Sequence, residues 1–243
     1  VTGDRFRTAS AAYWTALLGV FALVCGILGI QLGVIEPIVG FYLFLVGALL
    51  DGAIATLLGL VALFMARGKP PGTGRRHARL GSLIGIGLLS SVVAGSLPGN
   101  GLPPINDITT NVDDPPLFAS QADVPEYAGE DMNYPAEFAP LVREAYSDLT
   151  SISTPLPPAK AYDRALASVR ALGWSLLYEN RPEGRLDASE ATKIFRFVDD
   201  VTIRVRPKGN GSQVDLRSRS REGRGDLGAN ADRIRRFAAQ FRS

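Results

Sequence analysis

Residues 200–220, "DVTIRVRPKGNGSQVDLRSRS", are the stretch from which the fold can be read. Val201, Ile203 and Val205 alternate with Thr202, Arg204 and Arg206. After "KGNG" the alternation resumes, with Val214, Leu216, Ser218 and Ser220 set against Asp215, Arg217, Arg219 and Arg221. A side-chain period of two is the mark of a strand, and a Gly-Asn turn between two such runs predicts an antiparallel hairpin. Pairing through that turn would place the guanidinium groups on one face.

Working outward, "WSLLYEN" (174–180) and "GRLDASEAT" (184–192) supply two further short strands. Ahead of them Tyr162, Ala165, Leu166, Val169 and Leu172 fall at helical spacing, and Gly173 stops that helix. Behind the hairpin a closing helix starts near Asp226, with Ile234, Phe237, Ala238 and Phe241 on one side. The expectation for residues 158–243 is an α+β domain: a four-stranded antiparallel sheet with two helices on one face and the other face open.

The first hundred residues differ in kind. Residues 11–34, about 37–66 and about 80–97 are apolar runs long enough to cross a bilayer at ~1.5 Å per residue. In lipid a helix satisfies its own backbone, so residues 1–97 are expected to form a three-helix transmembrane bundle. The first run is too long for a signal peptide and lacks a small-x-small cleavage site, which makes it an uncleaved anchor. Arg5 and Arg7 precede the first run, and Arg67, Lys69, Arg75, Arg76 and Arg79 separate the second from the third. The turn after the first run carries Glu36 and no cation. Positive flanks stay in the cytoplasm. The N-terminus is therefore expected inside and the C-terminal domain outside, in the periplasm if the membrane is a bacterial inner membrane. Val1 implies trimming or an alternative start.

Residues 98–157 are rich in Pro, Gly, Asp and Asn, with ten acids and one base between 100 and 150. Ile105, Ile108, Val112, Leu117 and Phe118 recur among them, which favours an ordered arm lying along the domain over a solvated tether. From 160 to 243 the balance reverses to 18 bases and 11 acids. The acidic arm then has a basic surface to lie against.

"PPINDITTNVDDPPLF", "FRFVDDVTIRV" and "VDLRSRSREGRGDLGANADRIRRF" together resemble the signature of the domain-of-unknown-function family fourteen-ninety-nine, over about 103–241. The resemblance implies a non-cytoplasmic domain, as in bacterial envelope and thylakoid-lumen proteins, and transfers no catalytic residue. At the level of fold alone, a helix with a meander is similar to the helix-grip modules of envelope lipoproteins.

Gly223, Gly225 and Gly228 spell G-x-G-x-x-G, but the sequence ends at Ser243, before the second strand and ribose-binding acid of a dinucleotide site. A strand-loop-helix junction remains, with Asp226 as N-cap and a helix N-terminus that suits an anion. Crowded arginines call for carboxylates or an anionic ligand. Arg204, Arg206, Asp215, Arg217, Arg219, Arg221, Gly223, Asp226, Gly228, Asn230 and Arg233 are the candidate ligand-binding set, with Asp215, Asp199, Asp200 and the arm as internal alternatives. Asp199 and Asp200 themselves suggest a turn leading into the strand. The domain has neither His nor Cys, since His77 and Cys25 lie in the membrane part. No catalytic residue, metal site or cofactor is expected.

Asp51, near the middle of the second run, is a membrane-buried polar residue that serves packing or function. Gly19, Gly26, Gly33, Gly40, Gly47, Gly52, Gly59, Gly81 and Gly85 recur at spacings that let helices approach, within the bundle or in a homo-oligomer. The function expected is a membrane-anchored binding or scaffold module, engaging an anionic lipid, glycan or envelope partner through the arginine face. Alternatives are an accessory subunit of a transport or assembly complex, or an envelope enzyme using carboxylates. Nucleic acid is excluded by the compartment.

Overall fold

The computed structural model describes residues 2–68 and 72–243. Val1 and Lys69, used above for the start of the chain and the loop charge, lie outside the described residues. Two compact units are present, Val1–Pro98 with Lys193–Arg196, and Gly99–Thr192 with Phe197–Ser243.

The first unit has three helices, α1 (Thr2–Gln31), α2 (Pro37–Met65) and α3 (Thr73–Ser96). All three are long and apolar enough to cross a membrane. Of the glycines named above, all but Gly33 lie against a neighbouring helix of the unit, and a β-carbon on Gly33 would meet nothing within 4 Å. A β-carbon on Gly19 would lie 2.7 Å from the Gly47 carbonyl oxygen, and one on Gly85 would lie 2.6 Å from that of Gly52. Only glycine allows backbones this close. Within α2, Val46–Asp51 is π-helical, and Asp51 ends that stretch. Arg75, Arg76 and Arg79, expected in a loop, sit in the first two turns of α3.

The second unit departs from the expected four strands. Its antiparallel sheet has six: β1 (Asp107–Thr109), β2 (Ile152–Thr154), β3 (Ser175–Asn180), β4 (Arg185–Ala191), β5 (Val198–Lys208) and β6 (Gly211–Ser220). The order is β1-β6-β5-β4-β3, with β2 also on β6. The hairpin forms as predicted. Lys208 pairs with Gly211, and Gly209 takes the positive φ (55°) that a two-residue turn requires. The two extra strands come from residues 98–157, which also hold α4 (Phe138–Ala145). Three-residue strands escape a periodicity test because they show barely one alternation. They exist because β6 offers an edge to pair with.

Helices α5 (Pro158–Ala171) and α6 (Ala229–Arg242) cover one sheet face. Pro158 opens α5 where a missing N–H is harmless. At its end Gly173 (φ 72°) donates to Arg170 O and Trp174 to Val169 O, a Schellman closure. Tyr162, Ala165, Val169, Ile234, Phe237 and Phe241 are buried against Leu186, Val201, Ile203, Val214 and Leu216. Each large side chain so buried contributes about 1.5–3 kcal/mol.

The opposite face, expected to be open, is covered. Residues 114–132 cross it and build a smaller core from Phe118, Ala119, Val124 and Tyr127. Thr202 donates to Leu117 O and the Ala119 N–H donates to Asp187. An open face would have left Asp187, Thr202 and Arg217 in water, whereas all three are fully buried.

Candidate functional site

The hairpin register sets Thr202 opposite Arg217, Arg204 opposite Asp215 and Asp200 opposite Arg219. The arginines do share a face, as the alternation predicted, but each meets a carboxylate. At the centre Arg217, with no solvent exposure, makes a two-pronged bond to Asp107 (Nε to Oδ1 2.9 Å, Nη2 to Oδ2 2.6 Å). Its remaining nitrogen donates to Met132 O (3.1 Å), and the guanidinium lies 5.0 Å from the Phe118 ring centre and 5.3 Å from that of Tyr134. Arg219 binds Glu130 and Arg221 binds Asp200 in a two-pronged pair. The acidic arm therefore supplies Asp107, Asp114 and Glu130, so the charge reversal between the two segments had a structural meaning.

Arg204 and Arg206 differ from the others because they share two carboxylates of unlike exposure. Asp215 is fully buried and takes Arg204 Nη2 (2.9 Å) and Arg206 Nη2 (2.8 Å), with Ser151 and Gln213 on its other oxygen. Burial opposes its charge, yet the bonds from Ser151, Gln213 and Arg204 outweigh that and hold its pKa below the ordinary value. Asp114, about half exposed, completes the cluster with Arg206 Nη1 and Arg204 Nη2. The hydrogen bond from Arg206 is the main reason its pKa is also low. The Arg206 side chain retains 39% of its exposure.

The glycine junction is a structural device. Gly228 (φ 88°) is the residue before α6, and a side chain there would strike Leu102. The carboxylate of Asp226, two residues before that N-cap, accepts from the N–H groups of Gly228 (2.9 Å) and Asn230 (2.8 Å). The anion expected at this helix N-terminus is thus the protein's own. The Gly223 carbonyl accepts from Asn106. Asn230 is buried with both ends in use: Ser218 and Arg233 donate to its oxygen, and its nitrogen donates to Ser220 and Asn106 O. Arg233, also buried, bonds Asp199 and Glu190. Asp199 and Asp200 lie in β5 rather than in a turn, and they serve opposite faces. They reach different arginines because consecutive strand residues point apart.

One buried acid had no signal in the sequence reading. Asp187 on β4 accepts from Ala119 N–H (2.7 Å) and Tyr127 Oη (3.3 Å) through Oδ2, while Oδ1 is buried with no hydrogen-bond donor among the described residues. Burial pushes its pKa up to about 6. In "GRLDASEAT" it reads as an ordinary outward polar residue, because the segment that buries it is 60–70 residues earlier. In the membrane unit, a β-carbon on Gly19 would meet the Asp51 Cβ at 2.9 Å, and no hydrogen bond reaches the Asp51 carboxylate among the described residues. No group of three or more His, Cys, Asp or Glu suited to a metal occurs among the described residues.

Over residues 107–241, more than half of the chain, the sequence matches the family described as "Protein of unknown function (DUF1499)". No curated protein matches the chain.

Proposed function

We propose, for a chain that belongs to the DUF1499 family, a membrane-anchored binding or scaffold module that engages an anionic partner at the Arg204–Arg206 rim of its sheet. The supporting observation is the unequal pair of carboxylates there. Asp215 is fixed in the interior, whereas Asp114 is an exposed acid that an incoming carboxylate or phosphate can displace. Arg guanidinium groups bind either anion through paired hydrogen bonds. Arg217, Arg219 and Arg221 are held by Asp107, Glu130 and Asp200; in this reading they build the platform and the rim does the binding.

Loop charge supports placing the N-terminus in the cytoplasm and the sheet domain outside, in the periplasm of a bacterial inner membrane. Alkaline phosphatase fused after Ser243 is expected to be active, and activity instead from a cytoplasmic reporter at that position would overturn the orientation.

The rim is tested in native membranes with the full chain carrying a photo-crosslinking amino acid at Leu117, which is 61% exposed and three residues from Asp114. A discrete adduct is expected, stronger in Asp114→Asn, where the arginines lose their exposed counter-ion, and several-fold weaker in Arg204→Gln/Arg206→Gln. An adduct indifferent to these changes, or none, would remove the rim as the binding site.

A further inference from the structure

We infer that residues 117–128 form a strap that opens and closes over the sheet apart from the rest of the domain, with the buried carboxyl of Asp187 as its catch: a proton there holds the strap down, and ionisation loosens it. Pro115 and Pro116 precede the strap, and Gly129 (φ 84°) follows it. The segment adds no strand to the sheet, and its regular structure is the 3₁₀ turn Pro125–Tyr127. Among the described residues, the hydrogen bonds that join it to the sheet run from Thr202 to Leu117 O, and from Ala119 N–H and Tyr127 Oη to Asp187. Packing of Phe118, Val124 and Tyr127 with Leu177 and Tyr178, and of the Phe118 ring with Arg217, adds to them. A segment tied by so few hydrogen bonds opens at a lower free energy than a strand ladder.

Asp187 is where this opening meets the proton. Strand register sets it between Tyr178 on β3 and Thr202 on β5, on the face the strap covers. The charged groups around it on that face are engaged elsewhere: Arg185 with Glu183, Arg204 with Asp114 and Asp215, Arg217 with Asp107, and Asp200 with Arg221. On the strap, Asp123 and Glu126 are exposed, and Tyr127 is the titratable group that reaches Asp187. Burial first, then Asp187 and Asp200, raise the Tyr127 pKa, so its hydroxyl stays a donor throughout. Asp187 therefore has no paired cation among the described residues, and its Oδ1 has no donor. A proton on Oδ1 removes a buried charge that the closed structure serves poorly.

With the strap lifted, water reaches the carboxyl and its ordinary proton affinity returns. The closed form binds the proton more tightly, with a pKa of about 6 against 3.8. Opening therefore becomes easier as pH rises from about 4 to 6, and changes no further above that. Asp114, just ahead of Pro115, keeps its charge through this range because the Arg206 hydrogen bond lowers its pKa. It stays on Arg204 and Arg206 while the strap is down. A lifted strap loosens Asp114 and frees the rim for an anion. That last consequence rests on the binding function proposed above, whereas the strap and its catch do not.

The test is hydrogen–deuterium exchange of the full chain in detergent at pH 5 and pH 7.5, with rates corrected for the intrinsic pH dependence of amide exchange. Peptides covering 117–128 are expected to be less protected than those covering 201–205 and 214–218 by roughly ten-fold or more at both values. The opening constant of the strap should rise about ten-fold from pH 5 to pH 7.5, as the two pKa values require. Asp187→Asn should abolish that rise. Tyr127→Phe, which removes a donor favouring the charged form, should enlarge it. Equal protection of strap and hairpin would show that they open together and would overturn the strap. An opening constant that does not change with pH, or a rise that survives Asp187→Asn, would remove Asp187 as the catch. These readings need nothing bound at the rim, so they stand or fall separately from the Leu117 adduct.

Discussion

Arg217→Ala is expected to lower the unfolding free energy of the sheet domain by about 3–5 kcal/mol, the scale for removing one member of a buried ion pair. The substitution strands the Asp107 carboxylate, which is 2% exposed, without its two-pronged partner, and takes the donor from Met132 O. It also empties the space between the Phe118 and Tyr134 rings. Lysine cannot replace both prongs, so Arg217→Lys should recover little. Replacing both partners, Asp107→Leu with Arg217→Met, should recover most of the loss, because an apolar pair needs no desolvation of charge. The measurement is urea unfolding of the full chain in detergent, followed by Trp174 fluorescence in a Trp14→Phe background. Trp174 is buried with its ring stacked on Phe237 at 5.8 Å. An Arg217→Ala protein within about 1 kcal/mol of the parent would show that the pair does not hold the arm.

The second large effect is a gain that depends on pH. The Asp187 pKa is raised from 3.8 to about 6 because burial disfavours its charged form. Between these values the folded state binds more protons than the unfolded chain, so this group's contribution to stability falls as pH rises from about 4 to 6 and is constant above. Asp187→Asn cannot titrate. Its stability relative to the parent should therefore climb through that window by about 1.4 kcal/mol per pH unit, to about 3 kcal/mol at pH 8. Asparagine keeps an acceptor for Ala119 N–H and can point its amide at the Thr202 hydroxyl, whose own proton goes to Leu117 O. The same unfolding assay at pH 4, 6 and 8 checks this. A stability difference that does not change with pH would show that Asp187 is not charged at the expense of folding.

These two positions mark how far the sequence could be read. Alternation in 200–220 foretold the hairpin, its inward Val201, Ile203, Val214 and Leu216, and the shared arginine face. The helical spacing of Tyr162, Ala165 and Val169, and of Ile234, Phe237 and Phe241, foretold the packed helices. Within the candidate site, the acidic composition of 100–150 announced a counter-surface for the arginines. What it could not announce was which acid meets which arginine. Asp107 and Arg217 are 110 residues apart, and a charge count has no register. Asn230 and Arg233 looked available for a ligand because their spacing places them early on a helix. Only the sheet beneath shows that Ser218, Asp199 and Glu190 already hold them.

By itself the sequence determined what local periodicity and bulk composition can carry: three apolar helices, an antiparallel hairpin, two amphipathic helices and opposite charge in the two halves of the second unit. Each follows from interactions within a few residues or from a sum over many. Tertiary structure alone decided the six-stranded count, the covering of the second sheet face, the burial of Arg217 and Asp187, and the sharing of Asp215 and Asp114 by Arg204 and Arg206. The physical reason is burial itself. Whether a charge sits in water or in the interior is set by the segment that folds over it, and here that segment lies 60 to 101 residues away from the strand positions it covers.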